Sequence, residues 1–133
     1  MPASAYSSGA SHNPTKLYTG YFVSAFLLST GLTGLLAPTL LASCFGMPIA
    51  SNTYASGFAQ CFGSRNLTLG ILNTVFLQQG NLKAAATLAG LLAVDGALDA
   101  WVTWGMAGWV WALPHVAGAA VIPFVASWMG KLG

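Results

Sequence analysis

The sequence predicts an all-α integral membrane protein, an up-down-up-down four-helix bundle, and three observations carry that prediction. Of 133 residues, 56% are apolar and 5% are charged, with only four Lys/Arg and two Asp/Glu. The mean hydropathy is +0.69. A soluble domain draws about a quarter of its residues from the charged types, because its surface faces water, and disordered chains are polar rather than apolar. The apolar residues also fall into four runs, each long enough to cross a hydrocarbon core of ~30 Å at 1.5 Å per residue.

Each element follows in order. Residues 1–16, rich in Ser, Ala, Gly and Pro, are expected to form a flexible cytoplasmic tail. Residues 17–133 form one transmembrane domain. Span one runs from Leu17 to about Ala42 without a charge. A loop over residues 43–53 carries Gly46, Pro48, Ser51 and Asn52. Span two covers about Tyr54 to Gln79, and Gly80-Asn81 turns the chain into span three, about Lys83 to Met106. A tight turn between Gly105 and Gly108 leads into span four, about Trp109 to Met129, where Pro114 and Pro123 are tolerable in a membrane helix but expected to bend it. Short connections make neighbouring spans antiparallel. Lys16, Lys83 and Lys131 then share one side, which the positive-inside rule makes cytoplasmic.

Several function classes are excluded. The net charge of +2 is scattered, with no basic stripe for nucleic acid. Cys44 and Cys61 form no disulfide framework; small apolar packing is expected of both, with a single lumenal disulfide as the alternative. No cysteine and histidine spacing suggests zinc, and no glycine spacing forms a phosphate loop. The expected partners are the bilayer, a lipophilic small molecule and a second copy of the chain.

Three charges lie inside predicted spans: Arg65, Asp95 and Asp99. A charge at bilayer depth costs at least ~2.5–3.5 kcal/mol on insertion scales, so such groups point to function, with a structural ion pair joining spans two and three as the competing reading. Reflection about the turns places Arg65 level with the two aspartates, His115 level with Asp99, and Thr30 and Thr33 at a similar depth. Asp95 and Asp99 are spaced i, i+4 and share a helix face. Tyr54, Phe58, Arg65, Asn73 and Phe76 fall on one side of span two, and Trp111 and His115 on one side of span four. The expected site has Asp95, Asp99, Arg65 and His115 as catalytic residues, with Tyr54, Phe58, Asn66, Asn73 and Trp111 lining the substrate cavity. The competing reading for Asn66, Asn73, Tyr54 and Gln60 is polar glue between helices.

Two ionised aspartates beside one arginine leave a net negative charge in low dielectric, so one Asp is expected to keep its proton. A carboxylate and a carboxylic acid at one site supply a base and an acid. Epoxide opening fits this set without a metal or redox cofactor: the base activates water, and the acid protonates the released oxygen. Directing an internal hydroxyl onto the epoxide gives a cyclic ether instead. A proton-coupled four-span exporter, or an accessory subunit that binds a partner span through Arg65 and Asp95, is the alternative.

The stretch Gly63-Ser64-Arg65-Asn66-Leu67-Thr68-Leu69-Gly70, together with Asp95 and Asp99, resembles a family of short four-span fungal membrane proteins of largely unknown function. The resemblance covers about residues 17–130. Some members accompany biosynthetic genes for polyketides and terpenoids, which implies a lipophilic, oxidised natural product as substrate. It also implies a cytoplasm-facing endoplasmic reticulum membrane. In constellation alone, the Asp-Arg-Asp set is similar to the limonene-epoxide-hydrolase type, a soluble fold without sequence similarity, so that likeness is an analogy of chemistry.

Overall fold

The computed structural model describes residues 13–131. The described residues form five helices and no strand: α1 (Pro14–Leu36), α2 (Pro38–Cys44), α3 (Tyr54–Gln78), α4 (Leu82–Ala107) and α5 (Trp109–Gly130). Of the expected tail over residues 1–16, residues 1–12 lie outside the described residues, and residues 14–16 are helical, because α1 starts at Pro14 rather than Leu17. Asn13 caps the helix by accepting from the Thr15 amide at 3.0 Å, and proline suits the first helical position.

The expected single first span is two helices. Ala37 precedes Pro38 and adopts φ −140°, ψ 61°, which ends α1 and starts the short α2 at a proline. The ring of a proline disfavours helical backbone in the residue before it, so the break is local chemistry. The other boundaries agree with the sequence to within one residue. A reciprocal Thr53–Ser56 capping box opens α3, and the Asn81 side chain opens α4 by accepting from the Ala84 amide. Gly80 at φ 70° and Gly108 at φ 93° turn the chain where a side chain would be strained. α5 passes through Pro114 and Pro123 without a break.

Among the described residues, three helices are long and apolar enough to cross a membrane: α1, α4 and α5. Large apolar side chains point outward along them, including Phe22, Phe26, Leu91, Leu98, Val121 and Phe124. The interior holds small residues instead, such as Ala85, Ala86, Ala89 and Ala126. That inversion suits lipid, where outward apolar surface carries no penalty and small residues let backbones approach. It marks a membrane protein.

The long helices pack as two antiparallel hairpins, α1 with α3 and α4 with α5. Gly31 lies against the Leu67 backbone and Gly34 against Gly63, while Gly96 faces Ala119 and Gly90 faces Ala126. Asn73, fully buried, donates to the Gly20 carbonyl at 3.0 Å and to Ser24 Oγ at 2.9 Å, tying α3 to α1. Its Oδ1 is buried without a partner. Asn73→Ala is expected to lower unfolding stability by about 1–2 kcal/mol, the cost of stranding buried partners, in a mixed-micelle denaturation series. An unchanged midpoint would show that this seam is held by packing alone.

The hairpins meet through contacts of α4 with α3 and with α1, and through two further approaches made by α5. At the end where α1 starts and α5 stops, Met129 reaches toward Gly20, and Lys16 Nζ donates to the Lys131 carbonyl while lying 5.9 Å from the Trp128 ring. At the opposite end, the loop after α2 crosses onto α5. Gly46, at φ 70°, lies so close to Trp111 that a Cβ there would stand 2.4 Å from the indole.

Candidate functional site

The α2–α3 crossing creates the candidate site. Phe45, the residue that closes α2, stacks on His115 with ring centroids 4.7 Å apart and planes tilted by 35°. On its other side it meets Phe62 of α3 edge to face at 5.8 Å. Phe45 thus covers one side of the imidazole and is itself braced by Phe62 of α3. Gly46 is what allows it, because the Trp111 ring fills the space a side chain would take and brings the loop down onto α5.

From α4, Asp99 approaches the imidazole. Its Oδ2 lies 3.9 Å from His115 Nδ1, with the side chains 34% and 18% exposed respectively. That separation exceeds a hydrogen bond, and one bridging water or a small rotamer change spans it. It is the only ion-pair approach within 4.0 Å among the described residues. Asp99 and His115 share this layer because α4 and α5 run antiparallel from the Gly108 turn.

The remaining sequence-predicted residues are placed differently. Asp95, one turn before Asp99, is exposed, and Arg65 is exposed on α3. Among the described residues, neither makes an ion pair. Asn66 donates to Thr30 Oγ1 at 3.1 Å, and Asn73 sits in the α1–α3 seam. These two amides act as helix glue, because α3 turns the side bearing Gly63, Gly70 and Asn73 toward α1. Gln60 does the same more weakly, donating to the Leu35 carbonyl at 3.4 Å. Tyr54 and Phe58 line a shallow, open groove of about 800 Å³ together with Asn52, Thr53, Gly57 and Cys61. Trp111 stands at the rim of the His115 cluster. Cys44 and Cys61 are free and exposed, so neither is a buried packer.

Phe45 and Phe62 escaped the sequence reading, which takes Gly46 only as a loop residue. The signal for Phe45 is the loop string Cys44-Phe45-Gly46-Met47-Pro48, where an aromatic residue precedes a glycine beyond a helix end. Chemically, the cluster is an imidazole with one nitrogen toward a carboxylate and one face under an aromatic ring. Such an arrangement holds an imidazole in a fixed orientation, a geometry compatible with proton transfer.

Residues 24–129 match the family described as Domain of unknown function (DUF4267). The chain belongs to that family. The matched span contains every residue of the Asp99–His115 cluster, so the site lies within the DUF4267 domain itself. No curated protein and no solved structure matches the chain.

Proposed function

We propose that this DUF4267 protein is a membrane-embedded acid/base enzyme that opens an epoxide in a lipophilic, oxidised natural product. The opening proceeds by hydrolysis or by internal cyclisation. The observation that supports it most is the 3.9 Å approach of Asp99 to His115 beneath the Phe45 ring. Asp99 faces Nδ1 and orients the ring, which leaves Nε2 to take a proton from water. The hydroxide attacks an oxirane carbon, the carbon–oxygen bond breaks, and the imidazolium returns its proton to the alkoxide. Water and epoxide are consumed and a diol is formed. With a substrate hydroxyl in place of water, the same transfers give a cyclic ether. Carboxylate-backed proton transfer of this kind contributes about 10²–10⁴-fold.

In this reading all four long helices cross the bilayer. α3 lies antiparallel against α1 from Gly63 beside Gly34 to Leu77 beside Gly20, so it accompanies α1 across. Lys16, Lys83 and Lys131 then face the cytoplasm from the endoplasmic reticulum membrane.

The test is a product assay on purified protein with a panel of lipophilic polyene epoxides in oxygen-18 water. One labelled oxygen in a diol, absent with Asp99→Asn, supports hydrolysis. An unlabelled cyclic ether supports cyclisation. Directional movement of the compounds in sealed vesicles, without turnover, overturns the reading in favour of an exporter.

A further inference from the structure

Arg65 and Asp95 are exposed charges in an apolar chain, of opposite sign and on consecutive long helices. Each lies fifteen residues from Gly80, on opposite sides of the turn, so both stand about 22 Å along their helices from it. They are level, yet they make no ion pair within the chain: among the described residues only Asp99 and His115 approach within 4.0 Å. The reason is the pairing of the hairpins. α3 spends its close-packed side on α1 through Gly63 and Gly70, and α4 spends its own on α5 through Gly90 and Gly96. Exposed apolar residues flank each charge, Phe58 and Leu72 on α3 and Leu91 and Leu98 on α4.

A lone charge facing lipid at this depth is costly, and two of opposite sign at one level are complementary. We propose that two copies of this chain associate side by side in the membrane, with Arg65 of each copy pairing with Asp95 of the other. A twofold axis along the membrane normal preserves depth. It therefore brings Arg65 to Asp95 twice, as an isologous interface requires. In lipid, apolar surface supplies no drive of its own to associate, and polar pairs between helices supply it. The planar guanidinium suits a carboxylate better than an ammonium does. The pair stands one helical turn from Asp99, so the interface borders the candidate site without using either of its residues. The inference does not rest on the epoxide chemistry, and its test reads assembly rather than turnover.

The experiment uses two differently tagged full-length chains, reconstituted at low protein-to-lipid ratio and read by co-purification and single-molecule photobleaching. The wild type is expected to show two copies per particle. Arg65→Asp alone and Asp95→Arg alone are each expected to be single copies, because each juxtaposes like charges. Mixed together, the two variants are expected to pair again, one carrying two acids and the other two bases. Pairing within a chain cannot produce that rescue, since each variant keeps its own mismatch. A single-copy wild type, or no rescue on mixing, overturns the proposal. Should the charge reversals fail to accumulate, Arg65→Gln and Asp95→Asn are expected to weaken pairing at least about tenfold with helical content retained. Undiminished pairing in both would equally overturn it.

Discussion

Asp99→Asn is expected to lower turnover of an epoxide substrate by about 10²-fold or more, with the substrate's KM changed far less. The amide keeps the size of the carboxyl group and loses the charge that steadies an imidazolium. His115→Gln is expected to fall at least as far, because it removes the group that carries the proton. Combining the two should cost little more than His115→Gln alone, since groups that act as one unit lose their contribution once. Independent, multiplying losses would show that Asp99 serves a different step. The aromatic neighbour separates chemistry from scaffolding. Phe45 stacks on the imidazole at 4.7 Å and carries no proton, so Phe45→Leu should lower the rate far less than either polar variant. If Asp99→Asn and His115→Gln both stay folded and fully active, the acid/base assignment fails.

Much of the fold was legible because membrane helices announce themselves by length and by the residues that end them. Asn81 and Gly108 mark the ends of α4, and Thr53 with Ser56 marks the start of α3. The break at Ala37 was not read, although the proline after it is its signal, because a continuous apolar run concealed it. The site was harder for a physical reason. Depth can be reckoned by counting from a turn, and that reckoning placed His115 level with Asp99, where the two do meet. Azimuth cannot be reckoned so. In lipid both the packed and the outer faces of a helix are apolar, so hydrophobic periodicity does not say which side is buried.

The glycines hold the missing information. Gly63 and Gly70 are seven residues apart, nearly two full turns, and define the side of α3 that approaches α1. Arg65 stands two residues, or about 200°, from Gly63, which directs it away from that seam. Asn73 lies within about 80° of Gly63 and is drawn into the seam. The one-sided grouping of Arg65 with Asn73 therefore divides: one belongs to the outer surface and the other to the α1–α3 contact. A reading that began from the small residues would have separated them.

That same seam carries the largest expected effect on stability. A Cβ added at Gly31 would stand 2.5 Å from the Leu67 backbone nitrogen and 2.8 Å from its Cα. At Gly63 it would stand 2.7 Å from the Gly34 carbonyl carbon and from the Leu35 nitrogen. Backbone atoms cannot rotate aside, so α1 and α3 must separate. Separation also lengthens the Asn66–Thr30 and Asn73–Ser24 hydrogen bonds. Gly63→Ala is therefore expected to cost at least about 1–3 kcal/mol, the usual range for overpacking, and Gly63→Leu to prevent the hairpin from forming. Gly118 on α5 is the control, because nothing lies within 4 Å of a Cβ there. Gly118→Ala should leave stability unchanged or raise it, since alanine is the better helix former. The measurement is the denaturation midpoint of each variant in mixed micelles, with helical content followed in parallel. Equal midpoints for Gly63→Ala and Gly118→Ala would mean that α1 and α3 are not held at backbone contact. The placement of Phe45 and Phe62 around His115 would then need another support, since that seam is what brings α3 beneath the loop.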